Sequence, residues 1–552
     1  MIQERVDSKM FCFQCEQTAH GTGCTIQGVC GKTADVANMQ DLLIYQLKGI
    51  SNYAVKLMEK GEEIDGEIDA FVEDSLFMTL TNVNFDPSDH VRQLKESQEI
   101  KNSLKEKLGY EIETEYARYE LPETMEEILE DTRRARIFID EDLDPDIRSV
   151  RETIKYGLKG MSAYAHQARF LDYVYKKGSN FTYKALDAMT NDDLTLEENI
   201  NLLLETGENS YYVMETLDRA NNETYEPPTP HKVNIQVKKG PFVVISGHDL
   251  RDLEMLLEQT KDRRVNVYTH GEMIPSHGYE GLKKYPNLVG NYGGAWQNQQ
   301  KEFSNLPGTI LMTTNCLMRP MKSYDDRIYS TNVVGWDGIK HIPKNADGTK
   351  DFTELIDKAI ELGGFLEDEP VKEILVGFGH KTTLSYADKL LDAVKAGEIS
   401  HLFLIGGCDG TRKERNYYTQ FALQTPKDSI ILTLACGKYR FNKLEFGEVA
   451  GLPRVLDIGQ CNDTYSGIKI ASGLAEKMGV TVNDLPLSLI ITWYEQKAVA
   501  DLLALLWANV QGIRLGPTLP AFVTPNVLAF LMDQYDLKPI TTPEQDLADI
   551  LA

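Results

Sequence analysis

The 552-residue sequence predicts an α-plus-α/β chain: an N-terminal helical-bundle domain made of two related three-helix bundles, followed by two Rossmann-like, doubly wound α/β domains. Three observations predict it. Residues 33–215 carry long amphipathic stretches at helical spacing, such as "DVANMQDLLIYQLKGISNYAVKLMEKG". A proline cluster, "EPPTP" at 226–230, then breaks that pattern. Beyond it, short β-branched apolar runs ending in glycine alternate with amphipathic stretches, the pattern of βαβ units. The boundaries that follow are 1–225 for the helical domain, 226–365 for the first α/β domain and 366–552 for the second.

The helical region repeats itself: "LKGISNYA" at 47–54 returns as "LKGMSAYA" at 158–165. Both copies sit inside long helical patterns, which favours two related bundles side by side over a chance likeness of amphipathic helices. Acidic runs such as "EEIDGEID" read as solvated faces and loops. In the first α/β domain "PFVVISG", "DLRDLEMLLEQTK" and "RRVNVYTHGE" read as strand, helix and strand. In the second, "EILVGFGH", "KTTLSYADKLLDAVKAG" and "ISHLFLIGGCDG" repeat that order. Laid side by side, Gly247-His248 matches Gly379-His380, and Glu272 matches Cys408. Open α/β sheets bind ligands at the carboxyl ends of their strands. His248, Glu272, Cys408 and Cys436 all fall there.

Hydrophobic content of 42% and charged content of 26% are those of a soluble globular protein. A net charge of −26 without a basic patch speaks against nucleic acid and anionic membranes as partners. No apolar run reaches the ~20 residues of a membrane span. The opening "MIQERVDSK" has no apolar export segment, so the expected compartment is the cytoplasm. In that reducing setting the eight cysteines read as metal ligands or reactive thiols.

Cys12, Cys15, Cys24 and Cys30 are spaced C-x2-C-x8-C-x5-C. Structural zinc sites favour two tight pairs, and only Cys12 and Cys15 make one. Four thiolates on a glycine-bearing loop suit a cubane iron–sulfur cluster, with the N–H groups of Gly21, Gly23, Gly28 and Gly31 available to its sulfides. The spacing favours iron–sulfur and leaves zinc open. Cys316, Cys408, Cys436 and Cys461 each sit among small or polar residues at element ends, unlike a core cysteine. His248 gains weight from ending a strand, whereas His380 reads as structural, and His270 is a candidate supporting group beside Glu272. Trp493 and Tyr494 suggest partial burial for "TWYEQKAVA". "GNYGGAWQNQ" lacks the lysine of a phosphate loop, and no G-x-G-x-x-G opens either βαβ unit, so no flavin or nicotinamide domain is expected.

The stretches "MFCFQCEQTA", "TGCTIQGVCGK", "ISGHDL", "THGEM", "GNYGGAWQNQ", "TTNCLM", "IGGCDG", "LACGKYRFN", "DIGQCNDTYSG" and "WYEQKAVA" resemble the hybrid cluster (prismane, or hydroxylamine reductase) family over almost the whole chain. The x8 and x5 gaps follow the family's short-spaced subgroup, so the resemblance implies a 4Fe-4S cluster on Cys12, Cys15, Cys24 and Cys30. It also implies a hybrid 4Fe-2O-2S cluster on His248, Glu272, Cys316, Cys408, Cys436, Cys461 and Glu495, with a persulfide on Cys408. It places Lys497 near the open cluster face, as a proton source alongside Glu495, Glu272 and His248. Donor chemistry agrees, since thiolates suit the sulfide side of such a cluster and carboxylates suit oxygen-bridged iron. Gly406, Gly407 and Gly410 are expected to leave room for the extra sulfur on Cys408.

The implied reaction is two-electron reduction of hydroxylamine to ammonia and water, with electrons entering at the N-terminal cluster from a separate electron-donating reductase. Three alternatives stand beside it. One is reduction of nitric oxide to nitrous oxide in nitrosative stress defence. Another is protein S-nitrosylation or redox sensing. The third is carbon monoxide dehydrogenase chemistry, against which Glu272 and Glu495 speak.

Overall fold

The computed structural model describes residues 5, 7–139 and 142–552. Six long helices occupy the first part: α1 (Ala34–Glu59), α2 (Gly66–Met78), α3 (Pro87–Leu108), α4 (Pro145–Arg169), α5 (Lys176–Ala188) and α6 (Leu196–Tyr225). Their starts are written locally. Thr33 caps α1 by accepting from the Val36 amide. Asp86 and Asp144 cap α3 and α4 ahead of a proline in the first turn, where its missing N–H is not needed. Thr195 and Glu198 close a reciprocal box at α6.

The two helix triplets do not stand side by side as the repeat suggests. Each short middle helix crosses over: α2 packs along α4, and α5 along α1. Buried polar contacts hold the exchange. Tyr183 of α5 donates to Asp69 of α2 at 3.0 Å, and Ser179 donates to Glu73 at 2.8 Å. Asn52 of α1 donates to Asp187 of α5 at 2.6 Å. The repeated octamers lie in the long helices α1 and α4, so they carry no trace of where the middle helices go. They do share a function. A Cβ on Gly49 would lie 2.4 Å from the Tyr116 carbonyl oxygen, and one on Gly160 would lie 2.4 Å from that of Gln496. Each glycine admits the backbone of another segment.

Beyond Tyr225 the chain forms β1 (His231–Asn234), β2 (Phe242–Ser246), β3 (Asn266–His270), β4 (Leu288–Asn291), β5 (Thr309–Met312), β6 (Ile328–Thr331), β7 (Lys340–Ile342) and β8 (Glu373–Val376). There follow β9 (His401–Gly407), β10 (Ser429–Leu434), a small hairpin of β11 (Glu448–Val449) and β12 (Leu452–Pro453), then β13 (Val455–Gly459), β14 (Leu487–Thr492), β15 (Arg514–Gly516) and β16 (Lys538–Pro539). Two six-stranded sheets result, ordered β4-β3-β2-β5-β6-β7 and β13-β10-β9-β14-β15-β16. Every pairing within them is parallel. Counted within each sheet, both run 3-2-1-4-5-6. Helix α7 (Leu250–Thr260) covers one face of the first sheet, where Val243 and Ile245 meet Leu253 and Leu257. Phe242 and Val244 turn to the other face, against Phe77 and Ile310. Cover on both faces explains the unbroken apolar run of β2. In the second sheet, helices α8 (Thr464–Met478) and α9 (Gln496–Trp507) join one face, and α9 also packs on α4 and α6.

The strand read from "EILVGFGH" takes a different place. β8 pairs antiparallel with β1, His231 opposite Val376, and belongs to neither large sheet. Its residues alternate between exposed and covered, unlike the fully buried β2, as suits a two-stranded ribbon at the surface. The match of Gly379-His380 to Gly247-His248 therefore falls. By strand order the counterpart of Gly247-His248 is Gly407-Cys408, and that of Glu272 is Cys436. Gly247 and Gly407 do the same work, with φ of 134° and 108°. A Cβ on them would lie 2.2 Å from Thr313 Oγ1 and 2.0 Å from the Thr492 oxygen. Among the described residues, no helix is long and apolar enough to cross a membrane.

Candidate functional site

Each sheet reverses its order of winding between its first and fourth strands, β2/β5 and β9/β14, and a crevice opens there at the carboxyl ends. All seven residues predicted for the second site leave such ends. His248, Glu272 and Cys316 follow β2, β3 and β5 of the first sheet. Cys408, Cys436, Cys461 and Glu495 follow β9, β10, β13 and β14 of the second.

The two sets converge. His248 Nε2 lies 3.7 Å from Glu272 Oε2, which accepts from the Cys461 amide at 3.0 Å. The ligand atoms of His248, Glu272 and Cys461 lie within 4.8 Å of one another. Cys316, Cys408 and Cys436 share one packed cluster with Trp296, Tyr494 and Cys15. Gln460 Nε2, from the second sheet, donates to the main-chain oxygens of Glu272 at 2.7 Å and His248 at 3.2 Å in the first. Cys316 and Ala435, which precedes Cys436, hold φ of 73° and 60°. Such left-handed backbone at non-glycine residues costs roughly 1–3 kcal/mol and persists where the surroundings enforce it.

Glu495 caps α9, its Oε2 accepting from the Lys497 amide at 2.7 Å. Asn315 ties three groups together. Its Nδ2 donates to Glu495 Oε1 at 3.2 Å and to Cys316 Sγ at 3.4 Å, and its Oδ1 accepts from Lys497 Nζ at 2.8 Å. Lys497 also donates to His248 Nε2 at 2.8 Å, while His248 Nδ1 donates to Thr314 Oγ1 at 2.7 Å. In that tautomer Nε2 carries the lone pair that accepts from Lys497, the same lone pair a metal would take in its place.

Electrostatics follow from burial. The thiols of Cys316, Cys408, Cys436 and Cys461 are pushed well up, chiefly by desolvation. Desolvation raises Glu272 and Glu495 as well. His248 is pushed well down by burial and then by Lys497, so it is neutral. Burial also works against the Lys497 charge, but Cys461, Glu495, Cys316 and Glu272 outweigh it and hold the ammonium. Glu272 Oε1 is buried with no hydrogen-bond partner. Leaving it so costs about 1–3 kcal/mol, a cost that a bound cation removes. Four thiols, one imidazole and two carboxylates offer soft and hard donors together, which fits iron bridged by sulfide and by oxygen.

The N-terminal cysteines form a separate pocket of thiols. Cys12 and Cys24 face each other across paired backbone hydrogen bonds of 3.0 and 2.8 Å. Burial raises Cys15, and repulsion from Cys30, Cys12 and Cys24 adds to it, which places the other three thiols near it. Burial raises Cys12 and Cys30 too, against the pull of Lys32. The glycine N–H groups expected to face sulfides do not. Gly21, Gly23, Gly28 and Gly31 donate to Thr18, Ala19, Lys32 and Gly28 oxygens, closing tight turns. The Ala19 amide instead points at Cys24 Sγ at 3.4 Å. A Cβ on Gly28 would lie 3.0 Å from Cys30 Sγ, so the loop needs that glycine to seat the thiol. Four clustered thiols fit a cubane.

Between the two sets stands an aromatic pair: Trp296 and Tyr494 stack at 4.5 Å and 28°. The Glu16 amide donates to the Tyr494 oxygen at 3.0 Å, and the fully buried Arg415 joins Glu16 at 2.9 Å to the Cys408 oxygen at 3.3 Å. The segment around Tyr494 is wholly buried.

The glycines beside Cys408 serve close packing of the backbone: Cβ atoms on Gly406, Gly407 and Gly410 would lie 3.0 Å from Leu434 N, 2.0 Å from the Thr492 oxygen and 2.4 Å from Gln17 Nε2. His270 bonds to Ser246 at 2.9 Å and Glu302 at 3.1 Å, outside the ligand cluster, and His380 bonds to Ser466 at 3.1 Å. Asn315, Thr314, Gln460 and Trp296 escaped the sequence reading. Asn315 and Gln460 immediately precede cysteines, but nothing in their type marks them.

A model of the Prismane/CO dehydrogenase family matches residues 10–548. A protein of Thermodesulfovibrio yellowstonii named "Hydroxylamine reductase" is 49% identical over 549 residues, covering 98% of this chain and 100% of its own length. Its namesake from Thermoanaerobacter pseudethanolicus is 49% identical over 547 residues, covering 98% of each. Among solved structures, carbon monoxide dehydrogenase IV from Carboxydothermus hydrogenoformans aligns at TM-score 0.58 and 14% identity, over 99% of this chain and 92% of that one. A nickel-free carbon monoxide dehydrogenase from Thermococcus sp. AM4 aligns at TM-score 0.57 and 16% identity, over 98% and 90%.

Proposed function

Because the chain belongs to the Prismane/CO dehydrogenase family, with iron–sulfur cofactors, we propose that it is an oxidoreductase that reduces hydroxylamine to ammonia and water. Relatives alike over their full length carry the name "Hydroxylamine reductase". The observation that supports the reading is that His248 and Glu272 of the first sheet and Cys461 of the second bring ligand atoms within 4.8 Å of one another, with Cys316, Cys408 and Cys436 in one packed cluster. We assign a 4Fe-4S cluster to Cys12, Cys15, Cys24 and Cys30. A hybrid 4Fe-2O-2S cluster is assigned to His248, Glu272, Cys316, Cys408, Cys436, Cys461 and Glu495, with a persulfide on Cys408. The hybrid cluster, when bound, supplies two electrons and an open iron for cleaving an N–O bond.

The chain's residues do the rest. Lys497 is the proton source, kept charged by the groups around it and aimed by Asn315. Glu495 and Glu272 bring carboxylate oxygens to the iron. Trp296 and Tyr494 fill the space between the two cysteine sets with π-systems. The donor of electrons is a separate cytoplasmic reductase that engages the N-terminal cluster. Each turnover consumes two electrons and two protons per hydroxylamine and yields one ammonia and one water. One feature favours nitric oxide as a second substrate. An apolar cavity of about 60 Å³ between the second sheet and α8/α9 ends at Gly407 and Thr492, a path suited to an uncharged gas.

Mössbauer spectroscopy of anaerobically purified, iron-57-enriched protein tests the assignment. Cubane iron plus a second set of sites with mixed sulfur and oxygen ligands supports it, with ammonia formed at one per two electrons. Cubane iron alone, or zinc in the N-terminal site, sinks it.

A further inference from the structure

His248, Glu272, Cys436, Cys461, Glu495 and Lys497 are all buried, so a solute must be conducted to them. The apolar cavity is a poor route for hydroxylamine. It is walled by Leu404, Leu434, Ile468 and Leu505, and a molecule that bonds to water at both ends loses those bonds there. A second way in is polar. A groove of about 740 Å³ between α2, α3, α4 and the first sheet is lined by charged groups, among them Asp74, His166, Arg169 and Arg251. Phe170 and Arg251 of this groove also wall a small inner chamber of about 10 Å³. Gln167, Asp249 and His248 line the same chamber.

That volume is about what one water needs. The groups facing it want such an occupant. Gln167 Nε2 and Asp249 Oδ1 are buried and have no hydrogen-bond partner, and neither does His166 Nε2 on the groove side, 4.0 Å from Asp249 Oδ2. Asp249 Oδ2 is already taken by Asn332 Nδ2 at 3.0 Å. Buried polar atoms without protein partners are normally served by ordered water. Here a donor and an acceptor flank one chamber. Water, ammonia and hydroxylamine each donate and accept, so each satisfies both.

We propose that the groove and this chamber form the polar passage of the protein, through which hydroxylamine enters and water and ammonia leave, with Gln167 and Asp249 as its selective pair. The inference rests on the hydroxylamine reading above. Its size limit is one small solute at a time, and its chemistry favours molecules with both a donor and an acceptor.

Two measurements test it. A high-resolution crystal structure is expected to show an ordered water between Gln167 and Asp249, lost in Gln167→Met, which keeps the side-chain length and removes the amide. A dry chamber in the wild type overturns the proposal without reference to activity. Kinetically, Leu217→Trp, which fills the chamber, and Gln167→Met are expected to lower kcat/KM for hydroxylamine about tenfold or more, with the Mössbauer pattern unchanged. Ala471→Phe, which fills the apolar cavity, is expected to leave it unaltered. Wild-type kcat/KM in both chamber variants, or a comparable loss in Ala471→Phe, overturns the route. A wild-type protein with both sets of iron sites that consumes no hydroxylamine overturns the functional reading beneath it, and the passage as written falls with it.

Discussion

Lys497 sits where the proposed reaction needs a proton and where burial works against a lysine's charge. The acidic groups around it outweigh that burial and hold the ammonium, and Asn315 fixes its direction. Lys497→Met keeps length and volume and removes the acid. We expect kcat for hydroxylamine to fall by roughly 10²–10⁴-fold, the range for a general acid. Iron content and the Mössbauer pattern should be retained. A drop in activity that follows iron loss would instead make Lys497 a structural group. Glu272 is its complement, with one oxygen bonded to the Cys461 amide and the other unpaired until a cation arrives.

At the scale of elements, α9 is the piece that brings Glu495 and Lys497 into the crevice, and Gly160 of α4 lets it approach. A methyl there would meet backbone, which cannot rotate away. Gly160→Ala should therefore cost about 1–3 kcal/mol in urea unfolding and lower the iron retained at the second site. The α2–α4 contact offers a pH test. Burial opposes the charge on Asp74, but His166 and Arg169 outweigh it and hold the carboxyl down, from 3.8 to about 2. A carboxyl lowered by folding stabilises above its unfolded value and stops doing so as pH falls through the folded one. Between about pH 4 and pH 2 the wild type should therefore lose on the order of 2 kcal/mol more than Asp74→Asn, read by denaturant titration at each pH.

Legibility in the sequence divides at this scale. The helix-to-sheet change at "EPPTP" and the strand ends carrying His248, Glu272 and Cys408 follow from local chemistry, and local chemistry is printed in the residues. Partner choice is not. "EILV" is a sound strand, but joining β1 instead of a parallel sheet is decided by what lies beside it. The same limit hid the exchange of α2 and α5, and it sent the loop glycines to sulfides when their N–H groups were already committed to turns. Glu495 and the ligand set as a whole came from the family resemblance, whereas His248, Glu272 and the four later cysteines were readable as candidates at element ends. Asn315 and Gln460 were not, because a buried amide that orients a ligand resembles any other amide.

For the molecule as a whole, the two sheets share a 3-2-1-4-5-6 order that in nucleotide-binding folds presents the first βα turn to a pyrophosphate. Here that turn carries His248 in one sheet and Cys408 in the other, so the two phosphate positions of such folds are given instead to two of the proposed metal ligands. The N-terminal thiols attach through Glu16 to Arg415 and so to Cys408. If the first cluster feeds the second, Cys15→Ala should remove cubane iron and slow turnover with an external electron donor. The mixed-ligand iron signal should remain. Unchanged turnover in that variant would mean that electrons reach the second site by another way.

The crossing of α2 and α5 sets an order of events during synthesis. A ribosome delivers the cysteines at 12–30 and then α1 and α2, but the helices that complete their packing, α4 and α5, end only at residues 169 and 188. Until then the first thiols stand on an unfinished core. The second site waits longer still, because the residues proposed for it are strung from His248 to Glu495. If the proposed cluster occupies that site, its loading follows the folding of both sheets, because residues of both enclose it.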